Sequence, residues 1–314
     1  MAEEAKSYSQ MRREFYEKFQ NKILPLVRCH EHKRLAKLHL AIFSVCLLII
    51  AATIIIVIAQ NNGGIFSKSN EGLFKLAFML YCSAPIVWCF IKKDFENSIK
   101  KMIMPTICGC FGNFKWSNAY YEEESKYITS GLIPNFTYND FDDIFKGSYK
   151  DVGIDIVEAE YSRKQGKHTI TVFNGVIVVL DMNKNFTGHT VIKQNELIHT
   201  SPLADLRFTE LEDPEFNKKY DVYTNDEVDA RYLITPSFME RLKKMKTAFS
   251  ANKAECAFYG NYLIIALHTS KDLFSLCSLI KRIDDNRQFF EMYEEIVSII
   301  KLIDHFKLDQ KIGL

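Results

Sequence analysis

An uninterrupted run of about 22 residues without a formal charge, Leu38 to Ala59, constrains the fold of this chain more than any other feature. A helix of that length covers roughly 30 Å, the thickness of a bilayer's hydrocarbon core. Its many Ile and Val residues would suit a strand in water. In lipid the backbone must satisfy its own polar groups, and a single apolar segment can do that only as a helix. His39 lies at the end of the run, where it can stay at the interface. A second run of about 19 residues, Leu73 to Ile91, is less pure. Lys75 sits in its first turn and can extend to the headgroups. Pro85 is of a kind that membrane helices tolerate, and Tyr81 and Trp88 supply amphipathic rings suited to an interface.

Charge sets the orientation. Between the runs, Gln60–Gly72 is a short polar turn whose one basic residue is Lys68, whereas Lys22, Arg28, Lys33, Arg34 and Lys37 precede the first run. Lys92, Lys93, Lys100 and Lys101 follow the second. The positive-inside rule therefore predicts a multi-pass hairpin in the cell inner membrane with both termini cytosolic. The polar first ~37 residues do not resemble a cleaved signal sequence. The expected organisation is a cytosolic N-terminal helical segment (1–37), a transmembrane hairpin (38–91, spans 38–59 and 73–91), a juxtamembrane connector (92–135) and a cytosolic domain (136–314).

Forty basic against 39 acidic residues give a formal net charge of +1, which gives no reason to expect nucleic acid as a partner. The eight cysteines (29, 46, 82, 89, 108, 110, 256 and 277) show no framework spacing, so reduced thiols are expected. Cys108-Gly109-Cys110 is one residue shorter than a redox or zinc CxxC pair and reads as small residues in a turn.

In the N-terminal segment Met11, Phe15, Phe19 and Ile23 form one helical stripe, suited equally to a bilayer surface or to packing within the protein. Pro25 is expected to end or bend that helix, and Pro105 and Gly109 to break a juxtamembrane helix. Beyond Phe136 the pattern changes to strands. Val152–Val157 alternates. Thr169–Leu180 is a long β-rich run in which Asn174-Gly175 is either a hairpin turn or a bulge, and Gly166-Lys167 turns the chain before it. Phe186–Ile192 and Leu206–Leu211 are further strand candidates. Asp213-Pro214 opens a short helix through Tyr220, Thr224 and Glu227 have capping-box spacing, and Thr235-Pro236 opens a helix with Phe238, Leu242, Met245 and Phe249 on one face. Glu255–Phe258 and Tyr262–His268 form a hairpin about Tyr259-Gly260-Asn261. A last helix runs from about Gln288 to Phe306, with Phe289, Tyr293, Ile296, Ile300 and Ile303 on its apolar face. The fold class is α+β: a two-helix transmembrane hairpin, then a mainly antiparallel sheet with flanking helices.

The segment Phe216–Leu242 (FNKKYDVYTNDEVDARYLITPSFMERL) resembles a bacterial family of uncharacterised membrane proteins that carries a domain of unknown function and is sometimes mislabelled galanin. The pattern is matched by Phe216, Val222, Tyr223, Asp226, Val228, Ala230, Arg231, Tyr232, Leu233, Thr235, Pro236, Phe238 and Met239. Ile234 stands where the pattern has Leu. Ser130–Ile133, Asp142–Gly147 and Ile156–Glu160 resemble the family's entry into its first strands, and the likeness extends over roughly residues 30–310. It implies no activity. It does imply a setting beside LemA-type envelope membrane proteins.

No P-loop, GxGxxG, HExxH or GxSxG occurs, and the sequence calls for no cofactor, metal or catalytic residue. Cys29-His30-Glu31-His32 sets its ligand types side by side, where a helix points them in different directions. Asn135 and Asn185 match the glycosylation pattern, which a cytosolic domain would not use. Glu158 and Glu160 share a strand face that reads as solvated. Arg231 reads as an i, i+4 partner of Glu227 or as an anion contact, and Tyr232, Phe238 and Met239 as core. The candidate binding residues are Arg231, Asp226 and Tyr223. The reading favoured is a membrane-anchored cytosolic binding module whose partners are the lipid bilayer, an envelope protein of LemA type and, as an open option, further copies of itself. The alternatives are an enzyme whose site would bring Arg231, Asp226 and a histidine into one cleft, and a subunit of a channel or transport assembly.

Overall fold

The computed structural model describes residues 6–64, 67–119, 121–182, 185–195, 205–271, 273–276, 278–282 and 286–306. Cys277, and Ile65 and Phe66 of the turn between the apolar runs, lie outside the described residues. The chain divides into two compact units: one built on Ile107–Ser275 with the chain up to Glu14 and from Phe290 onward, the other comprising Phe15–Thr106 and Leu276–Phe289.

Helix α1 (Tyr8–Lys18) passes through a π-helical turn (Phe19–Ile23) into α2 (Leu24–Asn61). Pro25 was expected to end or bend the helix, but the helical run continues through it. The π turn carries the adjustment: the Leu24 amide donates to the Phe19 carbonyl, five residues back, and Pro25 starts the next helix where its missing N–H is least costly. The stripe Met11, Phe15, Phe19 and Ile23 is buried within the protein, and Phe19 packs on Phe289 at 5.4 Å. After the turn, α3 (Glu71–Cys108) also runs unbroken, with Pro85 and Pro105 inside it. The break expected near Pro105 is absent, and the helix ends at Cys108, just before Gly109.

Both 38-residue helices are long and apolar enough to cross a membrane. Within the apolar runs 38–59 and 73–91 the buried positions are small (Ala41, Ala52, Ala59, Ala77 and Ala84), while Phe43, Ile50, Phe78, Ile86 and Phe90 are exposed. Small residues let helices approach closely, and large apolar side chains turned outward suit lipid. The hairpin is tied at its turn. Asn70 is buried, and its Nδ2 donates to the carbonyls of Ala59, Asn62 and Gly64 at 2.9, 3.1 and 3.0 Å, satisfying the C-terminal end of α2. Before the first apolar run, buried Arg34 pairs with Glu31 and donates to the Leu279 carbonyl at 2.8 Å.

Within the other unit the strands are β1 (Lys115–Ser117), β2 (Tyr138–Tyr149), β3 (Val152–Gln165), β4 (His168–Asp181), β5 (Thr190–Gln194), β6 (Arg207–Thr209), β7 (Tyr220–Thr224), β8 (Lys253–Tyr259) and β9 (Tyr262–His268). A short helix, α4 (Ser125–Ile128), precedes β2. These nine described strands form one antiparallel sheet in the order β1-β2-β3-β4-β9-β8-β5-β7-β6. The fold is α+β, with a transmembrane-like hairpin preceding the sheet.

Asn174-Gly175 makes no hairpin turn, because β4 runs straight through it. The register with β3 shifts between Tyr161 and Ser162, which makes Val172 the extra residue. Gly175 meets a different demand. A Cβ there would lie 1.9 Å from the Leu267 carbonyl oxygen, and its φ is +150°. The hairpin between β8 and β9 forms as expected, with Tyr259 opposite Tyr262 and Gly260 at φ 62°. The strand expected at Phe186–Ile192 begins later, at Thr190.

The helices here are α5 (Pro214–Asn217), α6 (Glu227–Leu233), α7 (Pro236–Ala248) and α8 (Asn286–Phe306). Asp213 and Thr235 cap α5 and α7 as their spacing predicts, but α5 ends at Asn217 and does not run through Tyr220, which is already paired in β7. At α6 the expected Thr224–Glu227 capping box does not form. Asp226 is the cap and accepts from the Val228 and Asp229 amides, both at 3.0 Å. Thr224 is still in β7, and its hydroxyl meets the Thr190 hydroxyl and accepts from the Asp226 amide at 3.1 Å instead of the Glu227 amide.

Alternation along the strands makes two faces. Tyr121, Tyr127, Leu132 and Ile133 cluster with Val191, Ala257, Ile264 and Ala266. Phe258, of opposite parity to Ala257, packs on Phe238 of α7 at 5.3 Å. Leu242, Met245 and Phe249 of α7 are buried as predicted, as are Phe289, Tyr293, Ile296, Ile300 and Ile303 of α8.

Candidate functional site

Two lysine-rich stretches meet at the C-terminal end of β5. Gln194 and Asn195 leave the strand there, Lys218, Lys219 and Tyr220 join α5 to β7, and Lys243, Lys246 and Thr247 come from the last turns of α7. Together they line an open cavity of about 500 Å³ that contains four lysines and no carboxylate. Backbone pairing fixes the rim: the Asn195 amide donates to the Lys219 carbonyl at 2.9 Å, and Asn195 Nδ2 to the Asn217 carbonyl at 3.1 Å. Phe216 and Tyr220 stack at 4.7 Å, and the Lys243 ammonium lies 5.8 Å from the Phe216 ring centre. Tyr220 is buried, and its phenol is pushed up to about 12 by burial first and then by neighbouring Cys256 and Glu255. It stays a proton donor at neutral pH.

Behind this rim runs a buried polar row across three strands. Lys193 and Glu255 are 4% and 5% exposed. Glu255 Oε1 accepts from the Gln194 amide at 3.2 Å, and its Oε2 lies 3.3 Å from His268 Nε2. Lys193 Nζ donates to the Leu132 carbonyl at 3.1 Å. Burial alone would raise the Glu255 carboxyl, but His268, the Lys193 charge and the Gln194 amide together hold it below its ordinary value. Burial lowers Lys193, and the Glu255 charge opposes that shift. Gln194 joins the row to the cavity, because its side-chain oxygen accepts from Lys246 at 3.3 Å.

Both the cavity and most of the buried row fall within one recognisable stretch of sequence. Residues 171–308 match the model of the DUF3137 family. The family is described as a protein of unknown function, and its model covers β4 through α8. No curated protein and no solved structure matches the chain.

All three residues singled out from the sequence lie in the stretch that matches the family model, at the β6–β7–α6 edge. Asp226 is occupied as the helix cap. Tyr223 lies in β7 opposite Phe208, with the rings 6.0 Å apart. Arg231 donates to the Glu210 carbonyl at 3.0 Å and is exposed. Among the described residues it makes no ion pair with Glu227, because its side chain reaches across to the β6 segment. Tyr232, expected in the core, is 50% exposed, whereas Phe238 and Met239 are buried. The histidine next to the Asp226 turn is His189, whose amide donates to Asn225 at 2.7 Å. Its ring points to the Ser130 carbonyl at 2.8 Å, and burial lowers its pKa. Among the described residues Arg231, Asp226 and a histidine do not converge in one cleft.

Glu158 and Glu160 line a second cavity, of about 210 Å³, with Asp140, Asp142 and Lys271. Glu158 accepts from the Leu273 amide at 3.1 Å and Glu160 from the Thr171 hydroxyl at 3.0 Å. Among the described residues no group of three His, Cys, Asp or Glu side chains is placed to hold a metal ion. His30 and Glu31 are turned to the Leu26 carbonyl and to Arg34, and Cys108 and Cys110 are buried and form no disulfide with each other.

The lysine cavity was missed from sequence although both of its runs, Lys218-Lys219 and Lys243-Lys244 with Lys246, are plain to read. Each run taken alone is an ordinary solvated face. The signal that could have found the buried row is a charge at an inward position of an apolar strand, Lys193 in TVIKQ and Glu255 in KAECAFY.

Proposed function

We propose that the chain is a membrane-anchored binding module. In this reading the hairpin spans the inner membrane at 38–59 and 73–91, both termini lie in the cytosol, and the DUF3137 domain offers its lysine-lined cavity to a ligand or partner. The observation that carries the reading is the hairpin itself: two helices of membrane-spanning length whose apolar runs, 38–59 and 73–91, expose large side chains such as Phe43, Ile50, Phe78 and Met79 and bury alanines. In water such a surface would be an unusually large apolar patch. The basic flanks support the cytosolic orientation, since lysines and arginines are held on the side of anionic lipid. The resemblance noted above supplies a LemA-type membrane protein as a partner to look for.

Topology is tested by cysteine labelling in intact cells. Ser69→Cys in the turn should react with a membrane-impermeant maleimide from outside, and Cys29 only after permeabilisation; the reverse pattern rules out the orientation. In-membrane crosslinking and mass spectrometry then test recruitment. Wild type should capture a partner that a variant lacking Lys243 and Lys246 loses at equal expression, and capture of self-contacts alone would sink the recruiting role.

A further inference from the structure

We propose that the cavity lined by Lys218, Lys219, Tyr220, Lys243 and Lys246 is a binding site for a phosphate-bearing anion. This deepens the binding-module reading and rests on it.

Neighbouring positions differ in whether their charge is matched. On α7, Lys244 pairs with Glu240 at 2.7 Å, and on α5 Lys218 pairs with Glu215 at 2.5 Å. Both pairs are exposed and close locally. Lys219, Lys243 and Lys246 line the cavity, and among the described residues none of them has a carboxylate partner. Placing these ammonium groups around one concavity without counter-charge is unfavourable in the empty protein, and the field focused in a cleft attracts an anion.

The neutral groups fit the same ligand. Tyr220 is buried, lines the cavity, and its hydroxyl has no hydrogen-bond partner among the described residues. It can donate to an anionic oxygen. Thr247 adds a second hydroxyl, and the Gln194 side-chain oxygen is occupied by Lys246, which leaves its amide hydrogens for an acceptor. Donors therefore surround the space. A tetrahedral oxyanion with two charges matches that set, because each of its oxygens takes several charge-assisted bonds. Gln194 and the ammonium it positions are held from behind by Glu255, so part of the site is preorganised by the buried row.

The phosphate has two sources, a soluble phosphate or a phospholipid headgroup, and the test separates them. The full chain is reconstituted in phosphatidylcholine nanodiscs with isotope-labelled methyl groups on its lysines, and inorganic phosphate is titrated in. A second set of discs contains phosphatidic acid. If the site takes soluble phosphate, the Lys243 and Lys246 signals shift and saturate in the first set. If it takes a headgroup, they shift only in the second. The Lys243→Gln/Lys246→Gln double variant should weaken binding at least about tenfold, the loss of two charge-assisted contacts. Lys244→Gln, on the same helix but outside the cavity, should leave it unchanged and controls for folding. Tyr220→Phe should weaken it less than the double variant. No saturable shift in either disc overturns the proposal, as does equal binding by the double variant. Binding of polyglutamate that phosphate fails to displace also overturns it. Partner capture that survives the double variant would leave the module reading intact while removing this site from it.

Discussion

The backbone amide of Gln194 donates to the Glu255 carboxylate at 3.2 Å, while the side chain of the same glutamine accepts from Lys246 at the rim of the lysine cavity. One residue thus connects a buried ionic row to an open site. The row sits where alternation places apolar residues, so its charges are retained only because each finds a partner.

That row predicts a specific pH dependence. Glu255 titrates below its ordinary value in the folded protein, so its contribution to stability is fully present above about pH 4.5 and is lost as pH falls through the folded value. Lys193 acts in the other range. Its lowered folded value makes stability rise with pH between that value and 10.5, where the unfolded lysine holds its proton more tightly. Glu255→Gln should flatten the acid limb of a melting-temperature profile measured from pH 3 to 8. Glu255→Ala should cost about 1–3 kcal/mol at neutral pH by removing the buried acceptor of the Gln194 amide and the partner of His268. An unchanged acid limb in Glu255→Gln would remove Glu255 from this account.

Gly175→Ala should be among the most damaging single changes in the sheet. The new Cβ would sit 1.9 Å from the Leu267 oxygen, and neither the β4 nor the β9 backbone can yield without breaking the ladder between them. A loss of more than about 3 kcal/mol, or failure to accumulate folded protein, is expected. Melting of purified protein checks it, and a variant that melts within a few degrees of wild type contradicts the geometry.

Asp226 separates capping from contact. Asp226→Ala removes the acceptor for two orphan amides and should destabilise by about 1 kcal/mol, whereas Asp226→Asn keeps a capping oxygen and should be close to neutral. Denaturant titration measures both. If Asp226→Asn retains stability yet abolishes partner capture, the carboxylate is a contact as well as a cap.

At the tip of the hairpin, Asn70→Ala strips the donor from three carbonyls at once and should lower stability by about 1–3 kcal/mol. Asn70→Asp, which lacks the amide hydrogens, should do no better. Thermal melting in nanodiscs reads the effect, and wild-type behaviour in both variants would show that the turn closes without it.

Local chemistry was legible wherever one segment decides its own fate. The apolar runs, the caps at Asp213 and Thr235, the Gly260-Asn261 turn and the apolar faces of α7 and α8 each follow from residues a few positions apart, whose spacing fixes which face they share. Arg231 and Asp226 show where that reasoning stops. Their identities fit several roles, and the role each takes depends on whether the β6 segment or a helix amide is within reach.

What the sequence alone determined is therefore the hairpin, the α+β class and the helix starts at Asp213-Pro214 and Thr235-Pro236, because these depend on backbone hydrogen bonds and apolar periodicity within single stretches. Tertiary structure decided the rest. The strand order brings Lys193, Glu255 and His268 into one row, although they are far apart along the chain. The pairing of β4 with β9 gives Gly175 its steric demand, and the folding of α5 and α7 around the end of β5 turns two ordinary lysine runs into one cavity. Charge and volume at those places come from which strands become neighbours, a long-range choice that no local window of sequence contains.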